Sequence, residues 1–518
     1  ATRKFYELRA RKRAKKHLKP PRRSPRGAVR LTQKTGRFGI SSVSLLSLTP
    51  PDCQRRDSNM TTARFMLALS LSFAALCGRA ESIDLSGVYQ LAIENDPQLG
   101  AAEASFLAQS EVVPQARAGL LPSLNLSSSY SDTTSPSLRE FNPLTGTTLF
   151  EDTTTTSRSW RAGLVQPLFR MDRWHQYQQS KSIRDQAQAG YSSEALSLIV
   201  RVAETYLAIL EAQDALDSTN AERSAVQRQL EQVQQRFDVG LVAITDVLES
   251  TASFDRTTVN VIEAEGAQAQ SFEPLMRLTG RAFTSVQGLM AEFPVRHPEP
   301  QNEAAWVAAA LEKNTTILAG KAALAVAQKQ AAINKSRHLP TLDAQVTYSS
   351  QTSENPSAFQ TNRSDTEVYG LQLTVPIYSG GGTRSGVRQS EYRLVEAREN
   401  LDLAERQVSE NVRGLFTAIN TDVARVKASL RGIESARSAL SATETGYEVG
   451  TRNIVDVLLA QQRLYLSDFQ FASARYRYIN NTLRLKQVIG HLTAEDLYEL
   501  NQFIDVERLV TQVNPTTR

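Results

Sequence analysis

Between Leu168 and Glu273, and again between Ile377 and Asn514, the chain contains no proline, and its apolar positions recur at intervals of three and four. Val202, Tyr206, Ile209 and Leu216 mark a seam in the first stretch. Val412, Phe416, Ile419 and Val426 mark it in the second, 210 residues later. This rhythm predicts helices packed along a coiled-coil-like seam. A helix from Asp172 to Asp238 would be on the order of 100 Å long at ~1.5 Å per residue, which predicts a rod. Ahead of each stretch stands a segment rich in Ala, Gln and Glu, 84–119 and 303–338, predicted as helix and ended by a Leu-Pro pair, since the residue before proline is pushed out of the α region.

The pattern between these helical segments has period two. Leu124, Leu126, Ser128 and Tyr130 alternate with polar residues, as do Leu342, Ala344, Val346 and Tyr348. A second alternation follows in each case, at Trp160, Ala162 and Leu164 and at Tyr369, Leu371, Leu373 and Val375, closing at Pro167 and Pro376. These are predicted strands of about ten residues. The Ser/Thr/Asn/Asp-rich stretches 131–157 and 350–366 are predicted as polar loops between them.

The same order thus occurs twice. VGLVAITDVL at 239–248 is answered by VGTRNIVDVL at 449–458, with Gly240 and Gly450, and Asp246 and Asp456, each 210 residues apart. LPSLNLSSSY (121–130) echoes LPTLDAQVTY (339–348), and QPLF (166–169) echoes VPIY (375–378). The chain reads as an internal tandem duplication: a first repeat over 81–292, a linker over 293–302 containing FPVRHPEP, a second repeat over 303–492 and a C-terminal tail over 493–518.

Charge changes the picture only at the front. Residues 1–59 hold 17 Lys+Arg and 3 Asp+Glu, whereas residues 81–518 hold 40 and 51, a net of −11. A nucleic-acid partner suggested by the pI of 9.1 is therefore not expected. From Met60 the text has a basic start at Arg64, an apolar run from Phe65 to Leu76 and small residues at Gly78 and Ala80, as a secretory signal peptide over 60–80 would. The Arg/Pro-rich residues 1–59 are then expected to be a non-native upstream extension. Both cysteines, Cys53 and Cys77, fall in these leading segments.

Ten-residue alternating strands after an export signal fit an outer-membrane β-barrel. Only helices and closed barrels satisfy their backbone groups in hydrocarbon. Four strands per chain cannot close a barrel with a lumen, so several chains must pool them; two would supply eight strands and a side-chain-filled interior, three twelve strands and room for a water channel.

RFDVGLVAITDVLES (236–250), GYEVGTRNIVDVLLAQQRLY (446–465), RLKQVIG (484–490), ARAGLLP (116–122) and VPIYSGG (375–381) together resemble the TolC family of outer-membrane efflux and secretion channels, over about 84–490. The resemblance implies an α+β membrane protein: a homotrimer building one twelve-stranded outer-membrane β-barrel, four strands per chain, continued by a long periplasmic α-helical barrel. It implies an exit duct for type I secretion or drug efflux, in contact with outer-membrane lipid. The duct would dock on a periplasmic adaptor (membrane fusion) protein and an inner-membrane ABC or proton-driven transporter. It also places the repeated phrase at the periplasmic tip. There Tyr447, Arg452 and Asp456 match the family's gate positions, with Asp246 and Gln235 on the first hairpin.

The local chemistry of the phrase is that of a helical hairpin: Gly240 and Gly450 suit a left-handed C-terminal cap, and Asp246 and Asp456 suit the first turn of the returning helix. One letter departs from the family. The TolC-type pattern carries a second Asp one turn after Asp456, and here that position is Leu459.

Two other readings fit parts of the chain. A lipid-anchored efflux channel would use Cys77, but Leu76 precedes it where a small residue is wanted. A periplasmic adaptor or structural coiled coil would show one hairpin flanked by small β-domains. No catalytic, cofactor or metal role is expected: SGGGTRSG (379–386) lacks the Gly-Lys-Ser/Thr ending of a phosphate loop, and His175, His297, His338 and His491 stand far apart.

Overall fold

The computed structural model describes residues 82–290, 292–355 and 360–513. The expected upstream extension and signal peptide, with both cysteines, lie outside these residues, as does the end of the tail.

The two Pro-free stretches form the long helices that the seam predicts. Helix α4 runs Met171–Asp238 and returns as α5, Ile244–Ser271; α9 runs Gly382–Glu448 and returns as α10, Ile454–Ile489. At 68 and 67 residues, α4 and α9 are each about 100 Å long. Of the eight seam residues only Phe416 is not fully buried. The returning helices are shorter, and α8 (Thr315–Ser336) packs against both α4 and α9.

The segment 84–119 is three helices rather than one: α1 (Leu85–Asn95), α2 (Pro97–Ser110) and α3 (Val112–Ala118). Asp96 breaks it, because it precedes proline and its carboxylate caps α2 by accepting from the amides of Gln98 and Leu99. Likewise 303–338 divides into α7 (Glu303–Lys313) and α8 at Asn314, whose side chain caps α8.

The four alternating segments form one antiparallel sheet in the order β1-β2-β4-β5. Here β1 is Ser123–Asn142, β2 Thr147–Phe169, β4 Thr341–Asn355 and β5 Gln360–Thr374. The strands are far longer than ten residues, and the stretches 131–157 and 350–366 are mostly strand, not loop. Ser135 pairs with Thr153 and Ser353 with Asn362, continuing the ladder set by Leu124–Leu164 and Val346–Tyr369. β-branched threonines favour the extended chain regardless of polarity; polar composition here reported exposure rather than the end of pairing. β2 also passes Pro167, with a register shift before Phe169 that accommodates the missing N–H.

Register gathers the apolar residues on one face. Leu124, Leu164, Val346 and Tyr369 lie in one row across all four strands, and Leu126, Ala162 and Tyr348 in the next. Leu124, Leu126, Tyr369 and Leu371 are 71–75% exposed. Trp160 packs on Tyr348 with ring centroids 4.9 Å apart. β1 and β5 are the sheet's two edges. Where β2 becomes α4, Arg170 donates two hydrogen bonds to Asp343 of β4, at 3.0 and 2.6 Å, a bidentate pair that ties helix entry to sheet.

The tail is structured. After α11 (Ala494–Asn501), β6 (Ile504–Thr511) pairs antiparallel with β3 (Ser285–Leu289), and Ile83 bridges Val286 on its other side. Tyr206 of α4 donates to the Gln287 carbonyl at 2.6 Å, and burial pushes its phenol pKa well up. Beside this small sheet, Asp214 of α4 accepts from Tyr476 at 2.6 Å and from Arg508 of β6. No helix among the described residues is long and apolar enough to cross a membrane.

Helices α9 and α10 are joined by Asp422, whose side chain is 3% exposed and accepts from Arg477 Nε at 2.9 Å and Asn481 at 2.7 Å. Asp422→Ala removes these bonds and a longer one from Arg425 at 3.5 Å, but Arg477 and Arg425 are 46% and 44% exposed and can rehydrate. The expected cost is therefore about 2 kcal/mol, to be read as an earlier midpoint of denaturant unfolding.

Candidate functional site: the hairpin tips

The two helical turns close with the same backbone chemistry. At the first, the Gly240 amide donates to the Phe237 carbonyl at 2.8 Å and the Leu241 amide to the Arg236 carbonyl at 2.8 Å. At the second, Gly450 donates to Tyr447 at 3.1 Å and Thr451 to Gly446 at 2.9 Å. These are paired Schellman closures, and they need a left-handed residue; Gly240 and Gly450 both have φ of 78°.

The returning helices start differently. Asn453 and Asp456 form a capping box: the Asn453 side chain accepts from the Asp456 amide at 2.8 Å, and the Asp456 carboxylate accepts from the Asn453 amide at 3.3 Å. Asp246 stands in the first turn of α5, where Ala243 offers no side-chain cap. Asp456 therefore holds its own helix start as well as facing Arg452, whose Nη1 lies 4.0 Å away. Both side chains are substantially exposed, so this ion pair by itself contributes little.

A separate apolar core locks the two tips together. Val226 and Val233 of α4, Val247 of α5, and Ile454, Val457 and Leu458 of α10 are buried against one another. Phe237, Val242 and Tyr447 pack on its edge. From the repeated phrase, Val247, Ile454, Val457 and Leu458 thus enter this core and Val242 lies at its rim, whereas Leu241, Ile244 and Leu248 are exposed, as is Leu459 at 42%.

Of the residues expected at a gate, the structure brings Tyr447 and Asp246 near each other and sets Arg452 beside Asp456. Burial, then the Asp246 carboxylate, pushes the Tyr447 phenol above its ordinary pKa. Its hydroxyl is buried and has no hydrogen-bond partner among the described residues. Gln235 is exposed on the last turns of α4.

Two residues that the sequence did not single out belong to this cluster. The Arg236 guanidinium sits 5.3 Å from the Tyr447 ring centroid, within cation–π range. A Cβ on Gly446 would meet Arg452 Cγ at 2.8 Å, so glycine lets the Arg452 stem fold back on α9. In the 210-residue register, Arg236 corresponds to Gly446 and Val242 to Arg452. Each tip carries one arginine, at exchanged positions. Arg236→Ala should cost about 0.5–1 kcal/mol, seen as two- to fivefold faster amide hydrogen exchange over residues 444–452.

The pattern of the outer membrane efflux protein family matches residues 88–281 and 306–491. The chain is 34% identical over 445 residues to outer membrane protein TolC of Vibrio cholerae, covering 85% of this chain and 98% of that one. It is 30% identical over 446 residues to the alkaline protease secretion protein AprF of Pseudomonas aeruginosa, covering 85% and 91%. In fold it is similar to the CmeC outer membrane channel of Campylobacter jejuni, with a TM-score of 0.66 at 17% identity over 82% of this chain and 90% of that one.

Proposed function

Because the chain belongs to the outer membrane efflux protein family, that of TolC, we infer how this outer-membrane exit channel for secretion or drug efflux is assembled and gated. The working unit is a homotrimer. Each protomer contributes β1, β2, β4 and β5 to one twelve-stranded barrel, and its long helices continue as an α-helical barrel through the periplasm. The observation that carries this reading is the sheet: its apolar face is exposed and both edges are open. An open edge is not tolerated in hydrocarbon, so edge strands of neighbouring copies must pair. The duct meets a periplasmic adaptor and an inner-membrane ABC or proton-driven transporter, which supplies the energy.

The tips form the gate. With three copies, Asp456 and Asp246 become rings of carboxylates at a constriction, and such rings favour cations. Arg452, Tyr447 and Gln235 hold neighbouring tips closed through bonds that opening breaks. The buried, unpartnered Tyr447 hydroxyl supports this, since such a group costs free energy until it finds an acceptor. The test is electrical. The purified protein should migrate as a trimer on unboiled gels and conduct in planar bilayers, and Tyr447→Phe with Arg452→Ser should raise conductance severalfold. A soluble periplasmic monomer would defeat the channel assembly; unchanged conductance would defeat the gate alone.

A further inference from the structure

Away from the tips, at mid-height beside the β3/β6 sheet, lies a cavity of about 510 Å³. That is the size of small-molecule sites in general. Its walls are aromatic and aliphatic: Phe293 and Val295 from the linker, Val426 of α9, Phe471 of α10 and Phe503 ahead of β6. The walls are braced, with Phe293 packed edge-on against Phe503 at 5.1 Å and against Tyr478 at 6.3 Å. The cavity also holds a cation. Arg475 lines it while only 8% exposed, and its guanidinium lies 5.6 Å from the Phe471 ring centroid.

Arg475 is under-satisfied. Nη2 donates to the Met290 carbonyl at 2.6 Å, Nε is buried without a partner, and no carboxylate among the described residues is within ion-pair distance. The Asp214 carboxylate is taken by Arg508 and Tyr476. Burial pulls the Arg475 guanidinium below the ordinary arginine value, and the Tyr476 hydroxyl and the Asp214 carboxylate offset this only in part. A buried guanidinium without an anion is costly, and its planar fork matches a carboxylate. Glu292 at the rim disfavours a dianion.

We propose that this cavity binds a small amphipathic monocarboxylate of the medium-chain fatty-acid type, its carboxylate on Arg475 and its hydrocarbon against Phe293, Phe471 and Phe503. The site is on the wall of the protein, independent of the tips and of what passes through the channel.

The test is photolabelling of the full-length protein in nanodiscs with a diazirine-bearing decanoate, followed by peptide mapping. Labelling of 292–295, 471–475 or 503 should saturate, compete with unlabelled decanoate and fall at least tenfold in Arg475→Met. The neutral decanol analogue should label these peptides weakly and equally in both proteins. Equal labelling by acid and alcohol, or no saturable labelling of the unmodified protein, overturns the proposal. Phe471→Glu sets a carboxylate beside the Arg475 guanidinium and leaves Arg475 in place, so it decides the matter if Arg475→Met does not assemble: undiminished labelling at these peptides then overturns the site.

Discussion

Leu459→Asp should convert a channel that trivalent cations block poorly into one they block tightly, with a block constant lowered on the order of 100-fold when the cation is added from the periplasmic side. Leu459 is exposed one helical turn beyond Asp456, about 4.5 Å further along the axis. In a threefold assembly the substitution stacks a second ring of three carboxylates on the first. A unit charge pair at 4 Å is worth about 1 kcal/mol even in bulk water. A trivalent ion facing three added carboxylates therefore gains several kcal/mol before screening reduces it. Without the substitution, the proposed assembly has no second carboxylate one turn beyond Asp456, and the Asp456 carboxylate is already engaged by the Asn453 amide. Tight block of the unmodified channel in planar bilayers, unaffected by Asp456→Ala, would refute the assignment of this ring.

The second large effect concerns stability and separates two glycines that look equivalent. Gly280 and Gly490 stand 210 residues apart, and each ends a helix in the left-handed conformation, with φ of 69° and 78°. Alanine at either position costs about 1–2 kcal/mol for the backbone alone. Around Gly280 there is room, since an added Cβ meets nothing closer than Asn95 Cβ at 3.7 Å. At Gly490 it would lie 2.5 Å from the Lys313 carbonyl oxygen at the end of α7, and a backbone atom cannot swing aside. The resulting shift of α7 against α10 adds about 1–3 kcal/mol. Gly490→Ala should thus lower the unfolding midpoint clearly more than Gly280→Ala. Equal losses would mean that α7 moves freely.

These contrasts bear on what could be read from the chain alone. The seam was legible because Val202, Ile209, Val412 and Ile419 carry helical period over many turns, and all are buried. The tip turns were legible because the Schellman closure asks for one glycine in a fixed place. The outer halves of β1 and β2 were not, since Thr153 to Thr156 pair fully while offering no apolar alternation. The tail was not, because IDVERLVT is short and charged, and its partner β3 lies over 200 residues earlier. Arg236 gave no signal either. An arginine in the last turn of a helix is ordinary dipole chemistry, and only the fold brings Tyr447 beneath it.

The paired turns have a consequence for how such a protein diversifies. A closure built from main-chain bonds and one glycine places no demand on the charges carried beside it. Each tip can therefore exchange its charges, as Arg236 and Arg452 have done, without renegotiating the bend. Function at one tip can drift while the other preserves the architecture, and libraries that randomise 241 and 243 or 451 and 452 should keep folded channels so long as Gly240 and Gly450 stay.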